Sequence, residues 1–139
     1  MTQQTEKLKF SSALGLDRAA IDAYTALGVQ PIAAEDIRLT VAAMARHASA
    51  HLPEDFLRAL RFGFERETSD RGRAIYRQLL ENAAAASAAG RPTCQDTGQA
   101  VVFVDIGQEV RIIGGSVEEA IHRGVGAGYH SLRASIIAD

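Results

Sequence analysis

The chain has one cysteine, no tryptophan, three prolines and no long apolar run. A single cysteine excludes an internal disulfide, and with it the small secreted scaffolds that depend on such links. No stretch approaches the roughly 20 apolar residues of a membrane-spanning helix. The start of the chain, Met1 to Lys7, is polar and is not followed by the apolar segment of a secretion signal. These features point to the cytoplasm. An excess of positive charge is also missing: 15 Lys and Arg face 17 Asp and Glu, a formal net charge of -2. Proteins that bind nucleic acid or anionic membranes through bulk charge need a basic face, so neither class fits. A small anionic substrate remains open, because two or three local cations can hold one.

What is present is 139 residues with 47% apolar and 23% charged side chains, enough for one packed domain. Residues 1–16 read as a loose polar tail. A first helix is expected from Asp17, a candidate cap, to Leu27, ended by Gly28. Pro31 reads as a break. A second helix follows from about Ala34 to Ala50, with Ile37, Val41, Met44 and Ala48 as its apolar stripe. Pro53, Glu54 and Asp55 suit the start of a third helix, whose core face is Leu57, Leu60 and Phe64. After Ser69 and Asp70 a fourth helix runs to Ala89, with Ile75, Leu79 and Ala83 turned inward, and Gly90 and Pro92 stop it. The small run Ala83 to Ala86 invites close approach of another backbone.

Beyond Pro92 the pattern changes. Ala100 to Val104 is a β-branched apolar run of strand length, and Gly107-Gln108 separates it from Val110 to Ile113, which predicts a hairpin. Gly114-Gly115 closes the second strand. Ser116 and Glu119 form a capping box for a fifth helix, weakened at its end by Gly124, Gly126 and Gly128. The class is α+β: about four helices in a bundle, then a β-hairpin and a further helix. A two-stranded hairpin is marginal alone, so it needs a helix face or further strands.

The densest chemistry lies in Pro92-Thr93-Cys94-Gln95-Asp96-Thr97-Gly98, between a helix end and an apolar run. A thiol, an amide, a carboxylate and a hydroxyl follow one another in a short loop, where reactive groups are often carried. The same residues also suit an ordinary turn around a small apolar cysteine. Elsewhere, His47 and His51 are spaced to share a metal on one helix face, or to be two solvated polar residues; no glutamate follows His47 as in the zinc-protease motif. Gly124 to Gly128 follows a helix and not a strand, which speaks against a phosphate loop. Arg58, Arg61, Glu65 and Arg66 read as a solvated helix face. Asp96-Thr97-Gly98 is also the aspartic-protease triplet, but that fold is almost all β and residues 17–89 here are helical in pattern.

Three stretches carry a resemblance: Leu80-Glu81-Asn82-Ala83 leading to the Pro92 to Gly98 loop; Val101 to Val104 followed by Gly114-Gly115; and Gly124 to Tyr129 with Leu132-Arg133-Ala134-Ser135 and Ile136 to Asp139. In them, and in the order of the helices from Ile37 to Glu67, the chain resembles the alpha-type part of class I fumarate hydratases and L(+)-tartrate dehydratases. The resemblance implies a hydro-lyase that dehydrates a 2-hydroxy dicarboxylate, malate or tartrate, at a 4Fe–4S cluster whose open iron acts as Lewis acid. It matches Cys94 to one of three cluster cysteines, Gln95 and Asp96 to substrate contacts, Asp96 to a proton-transfer group, and Arg133 to an arginine that pairs a substrate carboxylate. Thr93 stands where the family has an apolar residue. The family continues where this sequence ends at Asp139, so residues 17–139 are expected to be the front portion of the catalytic domain. The remaining ligands would come from the rest of the alpha chain or a beta-type partner, within an oligomer, and the chain alone would hold no cluster and be inactive. The alternative is a non-catalytic helical interaction module, a remnant of such an enzyme.

Overall fold

The computed structural model describes residues 18–94 and 99–137. The expected tail, and Asp17 as a cap, lie outside them. Five helices and two short strands follow one another: α1 (Arg18–Ala26), β1 (Gln30–Ala33), α2 (Ala34–Ala50), α3 (Glu54–Arg66), α4 (Asp70–Ala89), β2 (Val110–Ile113) and α5 (Val117–Ile137). The chain is α+β, as read from the sequence. The caps follow the chemistry of the chain. Gly28 and Gly90 take left-handed φ of 75° and 62° just past α1 and α4, a conformation that costs other L-residues a clash at Cβ. Ser69 accepts the Gly72 N–H at 3.1 Å to start α4, and Ser116 accepts the Glu119 N–H at 3.1 Å to start α5.

The hairpin does not form. β2 pairs with β1, parallel, in the register Gln30 with Val110 through Ala33 with Ile113. The turn at Gly107 is real, since the Val110 N–H donates to its carbonyl at 3.0 Å, but residues 99–107 before it form no strand. Pro31, read as a break, is part of β1. A proline lacks only one donor, which an edge strand can spare. Parallel strands need a long crossover, supplied here by α2, α3 and α4.

The reason for this pairing lies in the helices that leave the strands. α2 and α5 run side by side in the same direction. A Cβ placed on Gly115 would lie 3.2 Å from Ala34 Cβ. On Gly124 it would lie 2.7 Å from the Arg38 carbonyl oxygen and 2.8 Å from Val41 Cβ, and on Gly128 it would lie 2.8 Å from Ala45 Cβ. The three glycines expected to weaken the end of the fifth helix therefore sit inside it, Gly124 and Gly128 at points of close approach to α2 and Gly126 facing open space. At Gly124 and Gly128 the helix-propensity cost is offset by backbone-to-backbone packing.

The stripes read in the sequence are buried only in part: Ile37 and Val41 on α2 are half-buried, and Val41 faces Gly124. α2 buries Ala34, Ala42 and Ala50, while Met44 is 61% exposed and Ala48 is exposed. α4 buries Ala83, as expected, with Ala86, and leaves Ile75 and Leu79 exposed. On α3, Leu57, Leu60 and Phe64 are half-buried, as expected. The α3–α4 corner is held by Tyr76, whose ring occupies the space a Cβ on Gly63 would need, and by Arg73, whose guanidinium lies 4.6 Å from the Phe64 ring centroid. Arg73 also donates to the Phe64 and Glu67 carbonyls at the end of α3. Glu67 accepts the Ser69 N–H at 2.8 Å and its hydroxyl at 2.9 Å. These bonds hold the Glu67 carboxyl below its ordinary value.

Two outcomes follow. Gly126→Ala, where open space surrounds the position, should raise stability by about 0.5–1 kcal/mol, while Gly124→Ala should lower it by about 1–3 kcal/mol; urea unfolding of both variants compares them. Because the Glu67 pKa is depressed in the folded state, its contribution is complete above the ordinary carboxylate value of 4.5 and is lost as pH falls through the depressed value. Thermal melts of the wild type and Glu67→Ala should therefore differ at about pH 7 and converge as pH falls below the depressed Glu67 value.

Candidate functional site

The cysteine loop begins where α4 ends. After Gly90 the chain turns back, the Arg91 N–H bonding to the Ala86 carbonyl at 3.1 Å. Thr93 is then tied to two helices. Its N–H donates to the Ser49 carbonyl at 3.0 Å, in the last turn of α2, and its carbonyl accepts from the Asn82 amide on α4 at 2.8 Å. Its hydroxyl lies 3.5 Å from the same Ser49 oxygen. The Ser49 carbonyl is among those a helix leaves unpaired at its C-terminus, so the loop doubles as a cap for α2. The two shorter bonds use Thr93 backbone atoms, so a threonine in place of an apolar residue costs the loop nothing. Cys94 follows at once and is exposed.

Gln95 and Asp96 lie outside the described residues. Arg133 belongs to α5, and only its place along that helix is described. The α2–α5 register puts Gly128 beside Ala42 and Ala45. One turn further on both helices is the level of Ser49 and of Leu132-Arg133. The helix pair thus carries Arg133 to the same end of the molecule as the carbonyl that holds the cysteine loop. Sequence reasoning quoted Asn82 only within the Leu80 to Ala83 stretch, with no role of its own, and did not mark Ser49. The signal for Asn82 was its place in a helix interior ahead of an alanine run, where asparagine is a poor helix former.

A polar cleft of about 140 Å³ lies at the other end of the pair, lined among others by Glu35, Arg38, Gly115, Ser116, Glu119 and Arg123. Arg38 and Glu35 face each other through Nε bonds of 2.8 Å to both carboxylate oxygens and through Nη2 to Oε1, and this holds the Glu35 carboxyl below its ordinary value. With two carboxylates and two guanidiniums the cleft has no excess of either sign. It is roughly 16 Å along α2 from Ser49, at about 1.5 Å per residue, and Cys94 is not part of its wall.

The rings of His47 and His51 stack with centroids 4.2 Å apart and planes 10° apart, and His51 Nδ1 lies 3.1 Å from the His47 carbonyl oxygen. A metal must lie near the plane of each imidazole it binds, and parallel stacked planes do not converge on one ion. Among the described residues no three His, Cys, Asp or Glu side chains group to hold a metal. As the chain's one cysteine, Cys94 could supply one thiolate to an iron–sulfur cluster and no second. No helix among them is long and apolar enough to cross a membrane. Five helices also exclude the all-β architecture the aspartic-protease triplet would require.

The sequence pattern of the family described as fumarate hydratase (Fumerase) matches residues 38–139, which is most of the chain. The chain belongs to that family. A putative L(+)-tartrate dehydratase subunit alpha from Methanocaldococcus jannaschii is 35% identical over 65 residues, covering 47% of this chain and 23% of the relative. The L(+)-tartrate dehydratase subunit alpha of Escherichia coli K12 is 35% identical over 66 residues, covering 48% of this chain and 22% of the relative. The matched segment is less than a quarter of the length of either relative. No solved structure matches the chain.

An exposed Cys94 should titrate with a thiol reagent in the native protein, one equivalent per chain, at a rate within about tenfold of that in denaturant. A thiol that reacts only after unfolding would contradict the geometry.

Proposed function

We propose that the chain is the front portion, from residue 17 onward, of a hydro-lyase that dehydrates a 2-hydroxy dicarboxylate. The observation that carries this reading is the family match across residues 38–139, which contains the Cys94-Gln95-Asp96-Thr97-Gly98 run, together with an exposed Cys94 on a loop bonded to two helices.

In this reading Cys94, as thiolate, is one ligand of a 4Fe–4S cluster that is complete only in the whole enzyme. When bound, that cluster supplies a Lewis-acidic iron for the departing hydroxyl. Gln95 orients the substrate through its amide, which both donates and accepts. Asp96 moves a proton at its carboxylate beside the leaving oxygen. Arg133 pairs two oxygens of a substrate carboxylate with its planar guanidinium, which fixes the acid's position as a lysine point charge does not. A reducing, cytoplasmic setting suits a thiolate ligand. Malate and tartrate both present the 2-hydroxy acid these residues address; the names of the relatives favour tartrate.

The relatives are named as alpha subunits, which supports a beta-type partner for the whole enzyme and an oligomeric assembly. The surface agrees. Among the described residues all the buried hydrophobic ones are alanines, while Phe62 is 60%, Val101 72% and Phe103 92% exposed. Large apolar side chains this exposed suit a surface that other protein covers. It also favours the second reading, a helical interaction module without catalysis. Anaerobic reconstitution with iron and sulfide separates the two. The enzyme reading expects visible cluster absorbance and fumarate or tartrate turnover when a complementary chain is present and neither when the chain is alone; the module reading expects self-assembly with no cluster under any pairing.

In the assembled enzyme, Cys94→Ser should cost more than the ~10–100-fold typical of residues that only support a ligand, with loss of cluster absorbance. Asp96→Asn should keep the absorbance and lower kcat by about 10²–10⁴-fold. Turnover and iron content after purification without air test both, and full iron with full turnover in Cys94→Ser would end the proposal.

A further inference from the structure

The loop that carries Cys94 is bonded at both peptide units that flank Thr93. The unit before Thr93 is fixed through its N–H, which donates to the Ser49 carbonyl at 3.0 Å. The unit after it is fixed through its C=O, which accepts from the Asn82 amide at 2.8 Å. That second unit contains the nitrogen of Cys94. With both planes bonded, the φ and ψ of Thr93 are set, and so is the position of the Cys94 Cα. Only rotations at Cys94 itself remain to direct the sulfur.

The Ser49 bond has a structural explanation, because it satisfies a carbonyl at the end of α2. The Asn82 bond has none of that kind. Its side chain is on an exposed part of α4, eleven residues before the carbonyl it reaches. A residue there that served only the helix would be better as alanine, like the four that follow it. An asparagine is the residue whose short amide can donate sideways to a neighbouring backbone carbonyl.

We propose that Asn82 is a positioning residue for the cluster-binding thiolate: by holding the Thr93–Cys94 peptide against α4, it sets where Cys94 presents its sulfur. This rests on the reading of Cys94 as a cluster ligand. Metal ligands are held in place by hydrogen-bonded neighbours, and loss of one such neighbour weakens metal binding without removing the ligand. Asn82→Asp keeps the size and removes the donor, leaving a carboxylate against a carbonyl. Asn82→Gln keeps an amide donor on a side chain one methylene longer.

The test uses the full chain, assembled with its complementary part and reconstituted anaerobically with iron and sulfide. Hydrogen exchange at the Thr93 amide should become about tenfold faster in Asn82→Asp, while the amides of Ala42 and Ala86 exchange as in the wild type. The same variant should lose its cluster in air about tenfold faster, with a changed electron paramagnetic resonance spectrum of the reduced cluster. Asn82→Gln should restore most of both. Unchanged Thr93 exchange in Asn82→Asp overturns the proposal, as does faster exchange with an unaltered cluster lifetime and spectrum. A cluster retained by Cys94→Ala overturns the underlying reading, and the positioning role with it.

Discussion

Two helices in this protein come so close at two glycines that backbone and small side chains meet directly. Gly124 and Gly128 on α5 face Arg38, Val41, Ala42 and Ala45 on α2, so closely that a Cβ on either glycine would meet atoms at 2.7–2.8 Å. The rest of the fold depends on that approach. It sets the two helices parallel, and each leaves a strand within a few residues of its start, so the strands β1 and β2 arrive side by side and parallel. It brings the N-termini of both helices to one polar cleft. At the far end it brings the last turn of α2, which holds the cysteine loop, level with the part of α5 that contains Arg133.

A core built this way is small. Among the described residues the buried hydrophobic ones are Ala33, Ala34, Ala42, Ala50, Ala83, Ala86 and Ala120, each contributing about one methyl group to the apolar area removed from water. A buried leucine or phenylalanine contributes several times more, and those side chains are largely on the surface here. Stability at the centre comes from dense packing and satisfied backbone groups, while Phe62 and Phe103 add little because they are exposed.

The cysteine loop follows the same economy. Its two shorter anchoring bonds go through backbone atoms of Thr93, one to a helix-end carbonyl and one to a side-chain amide, so one short segment both finishes α2 and carries the thiol. Hydrogen bonds to the end of α2 and to a side chain of α4 hold the loop, and Cys94 beyond them is exposed. The acid–base cleft lies at the opposite end of α2 and shares no wall with Cys94.

Much of this was determined by the sequence alone. Helix limits followed from local chemistry: Ser69, Ser116, Gly28 and Gly90 cap as their side chains, or lack of them, dictate, and α2 spans the residues read for it. The cysteine loop stood out by composition, and its family resemblance with it. Tertiary structure alone decided which faces of α2 and α4 are buried, what the glycines of α5 do, and where β2 finds its partner. The local signals for a hairpin, an apolar run and a turn at Gly107, were present, yet β2 pairs with a strand near the start of the described chain that contains a proline. Periodicity and turn chemistry act over a few residues, whereas the contact of Gly124 and Gly128 with α2 joins segments some 80 residues apart, and no local pattern records which distant backbone will come that close.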